Sequence, residues 1–259
     1  MIQPEELLAI RDTARRFARR EVQPWVGTET RDGDLSAVHG LLEAAESVGL
    51  LASPDPEAPG HDFGVWGATS RDGSPAASLT VLREVAAECA GIAASLHAAG
   101  LGARAAGEDV AGGSWLALAL RPADRLEAAH LAHPAPAAPR LLDGHLQGEA
   151  PFVLAAPGTA AVVVLANEDG QWVRVLLPVE TPPSLERTGL AATRQFHLRF
   201  ESQPAIERLG PADPAALWAT HAVGLAAVAA GNARGALTAA RAYAGERYQG
   251  GALIQEHPA

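Results

Sequence analysis

The residues best suited to bind or react lie near the end of the chain, in Tyr243-Ala-Gly-Glu246-Arg247-Tyr-Gln249-Gly-Gly251-Ala-Leu-Ile254. There a permanently charged guanidinium and an amide side chain stand where a helical pattern runs into Gly250-Gly251, a pair that stops helices. A cation so placed can hold a phosphate, and an ordinary helix end with a solvated arginine fits the same residues. Other candidates read as structural. His221, on a stretch of small residues, is expected as a core or cap residue before a base. His130-Leu-Ala-His133 has the spacing of a metal-ligand pair, but it stands beside Pro134, Pro136 and Pro139 with no third ligand near, so a loop and no metal site is expected. Gly100-Leu-Gly102 to Gly107 follows a helical pattern and not a strand, which excludes a dinucleotide loop. Glu84 and Glu88 lie one turn apart on a helix that is expected to expose them.

Composition narrows the chemistry further. All 20 basic residues are arginine, so neither a Schiff-base lysine nor a phosphate-loop lysine exists. The formal net charge of −10 removes the electrostatic argument for nucleic acid or an anionic membrane surface. One cysteine, Cys89, allows no internal disulfide and suits a reducing compartment, and the acidic start MIQPEELLAI is unlike a signal peptide. A cytoplasmic location is expected. With 259 residues and 48% hydrophobic content, the chain has ample material for a core.

Helices must carry the first part. Leu7, Ile10, Ala14, Phe17, Ala18, Val22 and Trp25 recur at steps of three and four, and Arg11, Arg15, Arg16, Arg19 and Arg20 fall largely on the other, solvated face. Ser36 to Leu51 reads as a second helix and Ser78 to Ala99 as a third, with Pro75 near its start. From Trp115 the period changes. Trp115 to Leu120 and Ala161 to Ala166 are short apolar runs, Asn167-Glu-Asp-Gly170 is a tight turn, and Gln171 to Leu177 and Phe196 to Phe200 alternate. Residues 115–208 therefore read as a β-domain, interrupted by an Ala/Pro linker from His130 to Arg140. A last helix is expected from Leu217 to about Ile254. Its small residues, with Gly231 and Gly235 four apart on one face, allow close packing, while its charged residues argue against membrane insertion. Helices, then strands, then a helix indicate an α+β chain and not alternating βαβ units.

The C-terminal segment resembles the Tyr-Ala-x-Glu-Arg-x-Gln-Phe-Gly-x-Pro-Ile signature that opens the C-terminal helical bundle of acyl-CoA dehydrogenases. Tyr243, Glu246, Arg247, Gln249, Gly251 and Ile254 agree, whereas Gly250 replaces the aromatic and Leu253 the proline. Arg11, Arg15, Arg16, Phe17, Ala18, Glu21, Val22 and Pro24 are similar to the family's first helix. Leu146-Gln-Gly148 through Phe152-Val-Leu154 resembles a strand whose aromatic and threonine lie against the flavin ring. Leu120-Arg-Pro122 falls where the family has Thr-Glu-Pro, and Gly189 to Phe200 resembles the strand after Met-Gly-x-Arg. The implied architecture is acyl-CoA-dehydrogenase-like: an N-terminal helical domain over 1–107, a β-barrel or sandwich over 115–208, and over 214–259 the first helix of a truncated C-terminal bundle.

The resemblance implies FAD as cofactor and α,β-dehydrogenation of an acyl-CoA thioester, a carboxylate taking the α-proton while the β-hydrogen leaves as hydride. It assigns cofactor contacts to Arg247, Gln249, Phe152, Leu154 and Leu120. Phe152 is placed to stack on the ring, whereas Leu154 and Leu120 lack the hydroxyls that would bond it, a loss of roughly 1 kcal/mol each. Arg247 would reach the FAD phosphates of a neighbouring subunit. No carboxylate matches the family's base: one family position lies beyond Ala259, and the other corresponds by count to His221. Two functions are therefore carried forward. One is a flavoprotein dehydrogenase, completed if need be by a partner chain supplying further helices. The other is a catalytically inactive subunit or binding module without flavin. The apolar face of the last helix predicts a homo- or hetero-oligomer in either case.

Overall fold

The structure is a computed structural model that describes residues 2–26, 35–51, 57, 64–67, 74–107, 115–120, 132–134, 136–178, 190, 192–205 and 207–257. Of the residues singled out above, His130, Arg121, Pro122, Gly189 and Ala191 lie outside the described residues.

Helix α1 (Pro4–Phe17) begins with proline in its first turn and acidic Glu5 and Glu6, which suit the positive end of a helix. It continues through a π-helical turn, Ala18–Val22, and a last turn, Gln23–Trp25. Its apolar stripe, Ala14, Phe17, Ala18 and Val22, is buried as its period predicts. Helix α2 (Ser36–Ser47) follows. The expected third helix is two helices, α3 (Ala76–Ala86) and α4 (Ala90–Ala106). The break falls at Cys89, whose backbone is extended at φ −151° and ψ 110°. These helices enclose a core that includes Phe17, Leu42, Val81, Leu82, Ile92 and Leu96.

Strands β1 (Leu116–Ala119), β2 (Arg140–Leu142), β3 (His145–Ala155), β4 (Ala161–Glu168), β5 (Gln171–Pro178), β6 (Arg194–Pro204) and β7 (Glu207–Pro211) form one mixed sheet. Its order is β6-β3-β2-β4-β5-β7, with β1 parallel to β4 beside β2, and β4 and β5 are joined by the expected turn at Asn167–Gly170. Alternation sends Val162, Val164, Val173, Val175 and Phe196 to one apolar face and Leu118, Val163, Leu165 and Leu176 to the other. The second face packs on α4 through Leu101 and Ala105. Arg174 of β5 fixes that contact by donating to the last carbonyls of α4, Ala105 (2.9 Å) and Ala106 (3.3 Å), groups a helix end otherwise leaves unpaired. The α+β order is as expected.

Helix α5 runs Pro214–Glu246 and not to Ile254, because Arg247 already has extended backbone (φ −82°, ψ 117°). A small hairpin, β8 (Tyr248–Gln249) and β9 (Ala252–Leu253), turns on Gly250 and Gly251, both at positive φ. Asp213 caps the start of α5 by accepting from the Ala216 N–H at 3.0 Å. One seam of α5, Gly224, Val228 and Gly231, is buried on α3 and α4. The approach is close enough that a Cβ at Gly231 would stand 2.4 Å from the Arg83 carbonyl oxygen, and one at Gly235 2.0 Å from that of Ala87. α5 thus crosses at the α3–α4 break. Length and apolarity would let α5 span a membrane (33 residues, mean hydropathy 1.3 over 18 of them), and 28% of that window is buried in its own chain.

Candidate functional site

Three of the five expected cofactor residues meet in one place. Leu120 at the end of β1, Phe152 and Leu154 on β3, Ala98 and Leu101 on α4, and Trp218 and His221 on α5 line a single hollow, together with Leu118. A bulge creates its mouth. The register of β3 against β6 slips between Ala150 and Val153, so Pro151 and Phe152 occupy the extra position. Phe152 takes φ +56°, a left-handed conformation that costs an L-residue about 1–2 kcal/mol, and its side chain is 59% exposed. Such strain on an aromatic at a cleft is the kind of feature that concentrates at binding sites.

The polar group of this hollow is His221. Its Nδ1 lies 3.1 Å from Nε2 of His97, and the rings stack at 12° with centroids 5.2 Å apart. Trp218 and Trp66 flank the pair. His97 is fully buried, and burial first, then the neighbouring His221, pushes its pKa down to about 3. It is a neutral imidazole at neutral pH. Gly224 makes room for it, since a Cβ there would fall 2.2 Å from His97 Cε1. His97 went unnoticed in the sequence because it sits inside a run of alanines with no motif around it, and only its pairing with a residue 124 positions away gives it meaning.

Arg247 and Gln249 are elsewhere. They stand past the far end of α5, roughly 38 Å beyond His221 at 1.5 Å per residue. Both are exposed. Their backbones are engaged: the Arg247 N–H donates to Tyr243 O at 2.9 Å, its carbonyl accepts from Ile254 N at 2.9 Å, and His257 Nε2 donates to the Gln249 carbonyl at 2.8 Å. Tyr248 Oη donates to Gly251 O. Among the described residues the Arg247 guanidinium has no ion-pair partner. One chain therefore cannot bring Arg247 and Phe152 to the same ligand.

Glu84 departs from expectation. Its carboxylate is 2% exposed, takes Arg15 Nε at 2.7 Å, and is gripped by both terminal nitrogens of Arg234 at 2.9 Å. Burial pushes its pKa up, but hydrogen bonds from Arg234 and Arg15 and their charges outweigh this and hold it at about 2. Arg15 belongs to the run expected to be solvated. It is 45% exposed, as that reading expects, while its Nε reaches in to Glu84.

Residues 4–113 match the family model for the acyl-CoA dehydrogenase N-terminal domain. Over these residues the chain is similar to the acyl-CoA dehydrogenase family. Among curated proteins nothing matches. Solved structures share its fold at low identity. A glutaryl-CoA dehydrogenase from Mycobacterium smegmatis superposes at TM-score 0.76 with 22% identity, covering 99% of this chain and 70% of the other. The glutaryl-CoA dehydrogenase of that organism in complex with FADH2 gives 0.71 and 17%, covering 99% and 69%. A butyryl-CoA dehydrogenase from Megasphaera elsdenii gives 0.71 and 15%, covering 99% and 73%.

The fold is thus that of flavin-dependent acyl-CoA dehydrogenases, and the hollow can be tested against a flavin ring. It holds about 40 Å³. Sites for cofactor-sized ligands usually hold about 300–1,000 Å³. The walls contributed by Leu120 and Leu154 offer no hydroxyl, and among the described residues no carboxylate lines the hollow. As arranged, the described residues do not fit an isoalloxazine ring. Among the described residues no group of three or more metal-ligating side chains occurs either.

Proposed function

We propose that this chain is a non-catalytic subunit of an oligomeric, cytoplasmic flavoprotein of the acyl-CoA dehydrogenase type. On this reading its own hollow performs no dehydrogenation, and Arg247 and Gln249 serve a cofactor phosphate held chiefly by a neighbouring chain. The observation that carries it is the hollow: about 40 Å³, apolar, and occupied at its polar end by the hydrogen-bonded His97 and His221 pair where proton abstraction needs a carboxylate. Two further features support an oligomer. The remoteness of Arg247 from Phe152 gives the arginine a use only toward another molecule. Val223, Leu225, Leu237 and Tyr243 leave apolar surface open along α5.

A second reading has its own support. Phe152, strained and exposed at a bulge, is the geometry expected of a ring that stacks on a flat ligand, which favours FAD bound in this chain and dehydrogenation of an acyl-CoA thioester. The two separate by colour. Purified chain, incubated with FAD and desalted, is expected to be colourless on the first reading. A stoichiometric yellow protein bleached by an acyl-CoA overturns it and establishes the second. Sedimentation as a clean monomer at micromolar concentration, both alone and mixed with a flavin-bearing relative, overturns the subunit reading.

A further inference from the structure

A second, larger concavity lies farther along α5, beyond the hollow. It is a groove of about 970 Å³ between α1, the end of α3 and the second half of α5. The lining combines three guanidinium groups, Arg15, Arg19 and Arg234, with the amides of Gln23 and Asn232 and the hydroxyl of Thr238. Small residues form the rest of the wall, including Ala18, Ala87, Gly235 and Ala239.

Three observations mark this groove as built. First, Glu84 pre-orients two of the arginines. Arg15 spends only Nε on it, at 2.7 Å, and among the described residues its two terminal nitrogens make no other hydrogen bond, so they can meet another acceptor. Second, α1 changes to a π-helical turn over Ala18–Val22 where it borders the groove. The wider turn keeps Arg15, Arg19 and Gln23 along one wall, and single π-turns inside α-helices recur at functional sites. Third, the charge is local. Glu84 and Glu88 also line the groove, so three guanidiniums face two carboxylates, a net positive site in a chain of formal net charge −10. Arg19 has no ion-pair partner among the described residues.

We infer that the groove between α1 and the second half of α5 binds a phosphate-bearing small molecule, with Arg19 and the terminal nitrogens of Arg15 on the phosphate. Guanidinium forks match phosphate oxygens in geometry and charge, and the amides of Gln23 and Asn232 supply further donors. The site is separate from Arg247, and it does not depend on whether flavin is bound.

The test is calorimetric titration of the full chain with inorganic pyrophosphate at low salt. One saturable site is expected. Arg19→Ala, which leaves the Glu84 cluster intact, should weaken it about tenfold, as loss of one charge-assisted contact implies. Raising salt should weaken it further. Absence of saturable binding at millimolar pyrophosphate overturns the inference. So does an affinity that Arg19→Ala leaves unchanged, or one that Arg247→Ala abolishes while Arg19→Ala does not, since that result would put the anion at the end of α5. A circular dichroism melt of Arg19→Ala matching the parent confirms that the comparison is between folded proteins.

Discussion

Replacing Glu84 with glutamine tests the packing of α5 on the N-terminal helices. The carboxylate joins α1 to α5 through Arg15 and Arg234, and its pKa of about 2 lies below the ordinary 4.5. At about 1.36 kcal/mol per pH unit, that depression corresponds to about 3 kcal/mol of native-state stabilisation of the charged form. The two arginine side chains are 45% and 38% exposed and border an open groove, so solvent screens part of this. A net loss of about 2 kcal/mol is expected for Glu84→Gln, or roughly 4–8 °C in Tm for a chain of this size. The pH dependence carries the mechanism. Because the folded carboxyl titrates below the unfolded one, the unfolded chain takes the proton first as pH falls. The stabilisation is complete above about pH 4.5 and is lost from there down to about 2. Urea or thermal melts of both proteins across pH 3 to 8 should therefore show a constant gap at neutral pH that narrows in acid. A gap below 0.5 kcal/mol at pH 7, or one that stays constant to pH 3, would refute the reasoning.

Three other substitutions probe the hollow and the helix crossing. His97 has its pKa lowered from 6.5 to about 3, so folding of the parent should weaken as pH falls below 6.5, by up to about 1.4 kcal/mol per pH unit; His97→Gln should flatten urea midpoints between pH 6.5 and 4 by about one proton. Gly235→Val would place a side chain against the Ala87 carbonyl, where even a Cβ stands 2.0 Å away, and should cost about 1–3 kcal/mol in urea unfolding; an unchanged midpoint would mean α5 does not lie on the α3–α4 break. Phe152→Gly should leave Tm unchanged or raise it, because relief of the left-handed backbone offsets the loss of a side chain that is 59% exposed, and a fall of several degrees would show that the ring is held by packing.

What could be read from sequence was local and periodic. The step of three and four in α1 located Ala14, Phe17, Ala18 and Val22 in the core, and alternation located β4, β5 and the turn between them, because each pattern is complete within a few residues. What escaped depends on partners far along the chain. Glu84 looked like a solvated residue on an amphipathic helix, yet its partners come from 69 positions before it and 150 after. The break at Cys89 was invisible because Ala87 to Ala90 contains no proline or glycine; the close crossing by Gly235 accompanies it. The same distinction separates the two halves of the cofactor assignment. Leu120, Phe152 and Leu154 converge because β1 and β3 are held in one sheet against α4, a consequence of strand alternation. Arg247 could not join them once α5 was one continuous helix from Pro214 to Glu246, since length alone carries its end away from the hollow. An arginine that a motif assigns to a cofactor, on a helix whose geometry forbids reaching it within one chain, has a use only if a second molecule stands at that end.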